Sequence, residues 1–257
     1  KTFHDKYLIS NFEKWMFKYW QFFDLIKKYC NQKFLVYIHT VIKIFFKSII
    51  ISILVINFTF AEKINIFDFT DTELQSLEVR KVRGADNKTN YSLGSNENGN
   101  YLKAVADNAA SGLGKKFTIN LNSTPFINIT WKVERDLKGI NEKSKKGHDY
   151  AARVFVIKKT GATALSNRAI NYVFSSNNKI GENWPSPFTK KSIDKVLSTT
   201  NENLNEWVTV KANVKEDFKK FHDLDVSEID GVAIMADTDN SKNKSISYYQ
   251  NIYFSAN

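Results

Sequence analysis

From residue 62 onward, apolar and polar residues alternate over short segments separated by clusters of Asn, Gly, Ser and Asp, and helical stripes are few. This is the pattern of a β-sandwich or barrel. Lys63 to Phe69 and Ser76 to Val82 read as the first two strands, and Asn87 to Asn100 as a polar, turn-rich stretch around Tyr91 and Leu93. Tyr101 to Ala106 and Lys116 to Leu121 resume the alternation. In Phe126 to Glu134 a period of two places Ile127, Ile129, Trp131 and Val133 on one face, and Asn128, Thr130, Lys132 and Glu134 on the other.

Tyr150 to Lys158 alternates differently. Ala152, Val154 and Val156 share one side, while Asp149, Ala151, Arg153, Phe155 and Ile157 share the other. A strand that is apolar on both faces yet carries an Asp and an Arg implies a covered sheet with a charged pocket. Arg168 to Phe174 and Trp207 to Val214 add two strands. Glu216 to Leu224 predicts a short helix, with Phe218, Phe221 and Leu224 at three-residue spacing. Gly231 to Ala236, a polar corner from Asp237 to Lys244 and a last strand from Tyr248 to Phe254 complete a Greek-key arrangement. The expected fold is all-β, a jelly-roll-like β-sandwich with one short helix, and no internal repeat is visible.

The first 61 of the 257 residues differ in kind. Residues 1–40 are crowded with Lys, Phe, Tyr, Trp and Ile, lack turn punctuation, and read as a non-domain or upstream segment. Residues 41–61 have the order of a secretory signal: Lys43 and Lys47, an apolar run from Ser48 to Phe60, then small Thr59 and Ala61 before Glu62. The alternative, a retained anchor, needs about 20 consecutive apolar residues. Here the run is shorter and is diluted by Ser52 and Asn57. The domain is therefore expected to span 62–257, to be exported to a periplasm or cell exterior, and to have no membrane span after cleavage.

That division changes the charge. The chain carries a formal +10, but residues 1–61 hold 9 Lys and Arg against 3 Asp and Glu, which leaves 28 against 24 in the domain. Beyond residue 61 no basic–aromatic interleaving is visible, so nucleic acid is not an expected partner. The lone Cys30 precedes Ala61, and no disulfide is expected in the domain.

Three places offer chemistry. Asp237-Thr238-Asp239-Asn240, with Asn243, is dense in oxygen donors and raises calcium at Asp237, Asp239 and Asn240. The spacing fails the EF-hand pattern, since Lys242 stands in the glycine position and Tyr248 in that of the bidentate Glu, so an Asx-rich turn with no metal is the preferred reading. Gly147-His148-Asp149-Tyr150 leads into Arg153, and Asp149 with Arg153 is either a structural ion pair at a sheet end or a grip on a polar ligand. Tyr172, Phe174, Trp184 and Phe188, stiffened by Pro185 and Pro187, either stack on a sugar or plug the sandwich. Phosphate loops, a nucleophile elbow and zinc-spaced Cys or His clusters are missing.

In order along the chain stand Ala110-Ser111-Gly112-Leu113, Trp131-Lys132-Val133, Asp149-Tyr150-Ala151-Ala152-Arg153-Val154, Asn171-Tyr172-Val173, Trp184-Pro185 and Val232 through Asn240. Together they resemble the bacterial domain of unknown function 3047, over about Phe67 to Phe254. The resemblance implies an exported β-sandwich and assigns no activity; the family pattern has an acid in the place of His148. The run Tyr248 to Phe254 is also similar to the last strand of jelly-roll carbohydrate-binding modules.

The functional expectation is a domain that binds a glycan or other polar ligand on a sheet face through Lys132, Asp149, Arg153, Tyr172, Trp184, Asp237, Asp239 and Asn240. The alternatives are a polysaccharide-acting hydrolase or lyase, with Asp149, Asp237 or Asp239 as acid or base, and a structural envelope protein.

Overall fold

The structure, a computed structural model, describes residues 63–257 except Arg83, together with Lys14, Phe17, Lys18, Gln21 and Val41. Apart from those five positions, the expectations for segments 1–40 and 41–61 lie outside the described residues. Among the described residues, no helix is long and apolar enough to cross a membrane.

Among the described residues, thirteen strands form two sheets packed face to face. The first sheet contains β1 (Lys63–Asn65), β3 (Asn90–Asn96), β4 (Gly99–Asp107), β6 (Phe126–Arg135), β11 (Val208–Asn213) and β13 (Lys244–Ser255). Their order is β11-β6-β13-β4-β3, and β1 pairs with the far end of β13 beyond β4. The second contains β2 (Glu78–Lys81), β5 (Ala110–Asn120), β7 (Ala152–Lys158), β8 (Arg168–Ser175), β9 (Asn183–Ser186), β10 (Thr189–Thr199) and β12 (Glu228–Asp237), in the order β2-β5-β12-β7-β8-β10-β9. The architecture is a jelly-roll-like β-sandwich.

The core is what period-two strands dictate. From the six-stranded sheet come Leu102, Ala104, Ile127, Ile129, Trp131, Val133 and Tyr249; from the seven-stranded sheet come Leu113, Ala152, Val154, Val156, Tyr172, Phe174 and Ile234. Trp131 packs its ring on Phe174 with centroids 5.5 Å apart and donates its indole N–H to Ser198 Oγ at 2.9 Å.

From residue 63 onward the described residues form three short α-helices where the sequence predicts one helix. Helix α1 (Asp71–Ser76) is capped by Thr70, whose side chain accepts the Glu73 N–H, and lies between the first two predicted strands, overlapping the second only at Ser76. Helix α2 (Thr200–Asn203) is a single turn. Helix α3 (Val214–His222) matches the predicted amphipathic segment; Asn213 caps it, and Asp223 ends it in the left-handed region at φ 53°.

Three strands were not legible. β3 lies in the stretch read as turn, because Tyr91 and Leu93 are its only large apolar residues. β9 carries Pro185 and forms the sheet edge. β10 runs parallel to β8, with Lys195 opposite the inward Tyr172. That lysine is tolerated because its ammonium reaches both Asp217 oxygens, at 2.7 and 2.8 Å, and it breaks the alternation that would have revealed the strand.

Candidate functional site

The residues named from the sequence fall on three surfaces. Tyr172 points into the core, where its hydroxyl donates to Asp217 Oδ2 at 2.8 Å. Lys132 lies on the outer face of the six-stranded sheet. Asp149, Arg153, Trp184, Asp237, Asp239 and Asn240 gather on or beside the outer face of the seven-stranded sheet, on the opposite side of the sandwich.

On the seven-stranded sheet, Arg153 on β7 and Met235 on β12 are cross-strand partners, which brings Asp237 beside the guanidinium. Arg153 Nη2 donates to Asp237 Oδ2, while Asp237 Oδ1 accepts the Tyr150 N–H at 3.1 Å. Asp149 accepts the Asn240 and Ser241 backbone N–H groups at 3.2 and 2.6 Å, and the Asn240 amide at 2.9 Å. These bonds lock the loop before β7 to the corner after β12. Asp149, Arg153 and Asp237 are 0%, 5% and 1% exposed, so the arrangement is a sealed ion network.

Burial raises the Asp237 carboxyl above its ordinary range, with Asp149 and Asp239 adding to the rise and Arg153 opposing it. Asp239, half-buried, is raised by desolvation and then by Asp149. For Arg153, burial works against the charge, but Asp237 and Asp194 outweigh it and hold the guanidinium above its usual value.

Carboxylate oxygens of Asp149, Asp237 and Asp239 lie within 4.8 Å of one another. A divalent cation there would compete with Arg153 for Asp237 and with two backbone N–H groups for Asp149, and Asn240 turns its amide nitrogen toward Asp149. Chelation with EDTA and saturation with calcium are therefore expected to give the same melting temperature by scanning fluorimetry. A rise with calcium would show that the carboxylates hold the ion in the folded state.

Beside this network lie further buried polar residues, of which Glu142 and Asp194 were not singled out from the sequence. His148 Nε2 is 2.7 Å from Asp194 Oδ2, and its ring meets Tyr150 and Phe188 edge-on. Asn171 also donates to Asp194, at 2.7 Å. The buried Glu142 accepts from the Ser175 hydroxyl, the Ser176 N–H and the amides of Asn177 and Asn178, pinning the β6–β7 connection to the end of β8. Trp184 is buried against Tyr150, Val173 and Val196, with Lys143 Nζ 4.7 Å from its ring centroid. It closes this face and presents no open platform.

The outer face of the six-stranded sheet is built differently. Tyr248 on β13 is the cross-strand partner of Lys132 on β6 and of Lys103 on β4. Val208 pairs with Trp131, so Trp207, just before β11, comes level with Lys132. Tyr101, Trp207 and Tyr248 touch one another, with centroids 5.9, 5.6 and 6.0 Å apart. Tyr101 lies across Gly94 on β3, where an added Cβ would fall 2.4 Å from the ring. Lys132 Nζ is 4.4 Å from the Tyr248 centroid and 5.7 Å from that of Trp207. Glu134 accepts the Tyr248 hydroxyl. Trp207 and Tyr101 are partly exposed, while Tyr248 is buried, so the cluster meets solvent through the first two rings. Of these groups only Lys132 was singled out from the sequence, because the cluster draws on four strands far apart in the chain.

The described residues form a β-sandwich with a sealed polar network on one face and partly exposed aromatic residues on the other. The family described as "Protein of unknown function (DUF3047)" matches residues 75–253, and the chain belongs to that family. No curated protein is similar to the chain at a significant level. Among solved structures, the chain is similar to a family 30 carbohydrate-binding module of a Clostridium thermocellum cellulosomal cellulase: 7% identity, 75% of this chain, 96% of that one, TM-score 0.43. It is also similar to a family 12 xyloglucanase from Bacillus licheniformis, at 8% identity over 76% of this chain and 96% of that one, with a TM-score of 0.40. A third is lectin I-B4 from Griffonia simplicifolia, at 14% identity over 77% and 100%, with a TM-score of 0.35. Likeness of this degree says nothing about a ligand.

Proposed function

We propose that this protein is an exported domain that binds a glycan or another polar ligand on the outer face of its six-stranded sheet, without carrying out chemistry on it. One observation carries the reading: the partly exposed Tyr101 and Trp207 rings touch each other and the buried Tyr248 on a sheet face, bordered by the Lys132 ammonium. Aromatic rings with a polar rim bury area against the C–H faces of sugars while leaving hydroxyls free for hydrogen bonds. Export rests on the signal-like order of residues 41–61, and a periplasmic or extracellular location follows from it.

Cleavage of a polysaccharide is the weaker reading. Of its acid and base candidates Asp149, Asp237 and Asp239, the first two are sealed from solvent and engaged with Arg153 and backbone N–H groups, and Asp239 is half-buried.

Affinity electrophoresis of the full chain against a panel of neutral and acidic polysaccharides tests the proposal. At least one polymer is expected to retard the protein, and Trp207→Ala is expected to weaken that retardation about 10-fold or more, as for a central aromatic anchor. No retardation across the panel, or retardation that Trp207→Ala leaves unchanged, would overturn it.

A further inference from the structure

The charge on the six strands of this face is one-sided. They contain Lys63, Lys103, Lys132, Arg135, Lys211 and Lys244, but only Asp107 and Glu134 as acids. Both acids are engaged: Asp107 pairs with Lys244 at 3.1 Å, and Glu134 holds the Tyr248 hydroxyl. Lys63, Lys103, Lys132 and Lys211 each sit over an aromatic ring instead. Lys63 is 4.1 Å from the Tyr253 centroid, Lys103 is 5.5 Å and Lys132 4.4 Å from that of Tyr248, and Lys211 is 5.0 Å from that of Phe126. Among the described residues, none of these four ammonium groups has a carboxylate within ion-pair distance.

The register orders them. From Trp207, just before β11, across β6, β13 and β4 the row reads Trp207, Lys132, Tyr248, Lys103, an alternation of ring and cation. A second row, four residues along β6, reads Lys211, Asn128, Tyr253 and Asn65, with Lys63 next to it on β1. At about 3.3 Å per residue the rows are about 13 Å apart, and the positions between them on β6 and β13, Thr130 and Gln250, are uncharged.

We propose that this face takes an acidic polysaccharide, whose carboxylates meet the Lys103 and Lys132 ammonium groups while its sugar rings lie on Trp207 and Tyr101, with Lys211 and Lys63 meeting acid groups further along the polymer. The inference rests on the glycan-binding reading above and adds the ligand's charge. Ammonium groups already cover the Tyr248 ring, so an incoming ligand meets cations first. A cation is attracted to the face of an aromatic ring, which holds the lysines on the face without neutralising them. Charge spacing separates this ligand from nucleic acid. Duplex DNA carries one charge per about 1.7 Å of axis, a density that four lysines in two rows about 13 Å apart do not match. A polymer with separated acid groups does.

The test uses the full chain, with polygalacturonate as the acidic probe, hydroxyethylcellulose as the neutral one and an oligothymidylate as the nucleic-acid competitor, followed by titration calorimetry. Polygalacturonate is expected to bind, to weaken several-fold as salt rises, and to lose about 10-fold or more in the Lys103→Met/Lys132→Met variant. Methionine keeps the aliphatic packing and removes the charge. Lys219→Met, on α3 away from this face, is the control for bulk charge and is expected to bind as the parent does. Binding of hydroxyethylcellulose that the double lysine variant leaves intact but Trp207→Ala abolishes would overturn the acidic ligand and leave the glycan reading standing. Preferential binding of oligothymidylate, or equal losses in the double variant and Lys219→Met, would overturn the proposal. If neither polysaccharide binds, the acidic ligand and the glycan reading fall together. Unchanged melting temperatures for the double variant and Trp207→Ala confirm that the losses report the face and not the fold.

Discussion

Asp237→Ala is expected to lower the unfolding free energy by about 3–5 kcal/mol, because it strands the buried Arg153 guanidinium without its partner. For a domain of this size that is a fall in melting temperature on the order of 10 °C. Arg153 Nη2 bonds to Asp237, and its neighbours Tyr150 and Phe155 offer only ring faces at 5.3 and 5.0 Å. Asp237 also accepts the Tyr150 N–H, so the substitution frees one end of the β7 approach as well. The pair itself need not be stabilising relative to an apolar one, since desolvation opposes it. The double variant Arg153→Met/Asp237→Leu is therefore expected to recover a large part of the loss. Urea denaturation of the parent, the single variant and the double variant reads the difference. A single variant as stable as the parent would show that Arg153 reaches water or another carboxylate.

Trp131→Ala should cost about 3–5 kcal/mol as well, by a different mechanism. Its ring is fully buried between the sheets against Phe174, and its removal leaves a cavity that two sheets held by their own hydrogen bonds cannot close. The Ser198 hydroxyl also loses its indole donor. Lys132, the next residue, points the opposite way, so Lys132→Ala is expected to change stability by less than about 0.5 kcal/mol. Chemical denaturation of the two adjacent variants would compare the inner and outer faces of β6 directly. Equal losses would mean that the alternation is not what buries Trp131.

The strength of that contrast shows how the fold was written in the chain. In β6, apolar residues at every second position force one face inward, and the strand runs from Phe126 to Arg135, one residue past the predicted end. β7, β8, β12 and β13 were legible for the same reason. β10 was not, because Lys195 on its inner side makes sense only once Asp217 of α3 stands opposite, 22 residues away. β3 was missed because its outer positions are Asn, Ser and Gly, and the glycine is required by the Tyr101 ring lying on it.

Site legibility divides along the same line. Asp149, Arg153, Asp237, Asp239 and Asn240 could be named in advance because polar residues beside strongly apolar strands stand out locally, and the structure does bring them together. It brings them together as a sealed network, and no local pattern distinguishes a buried ion pair from an open grip; burial is set by the loops that cover the sheet. Lys132 was named for the same face and lies on the other sheet. What the sequence determined by itself is the all-β class, the inward residues of its regular strands and the family, all of which follow from a period of two or from ordered local motifs. Strand order was decided only by tertiary structure. Lys132, Tyr248 and Lys103 come from three strands and Trp207 from just before a fourth, spread over more than 140 residues of chain, and only the strand register brings them into one row.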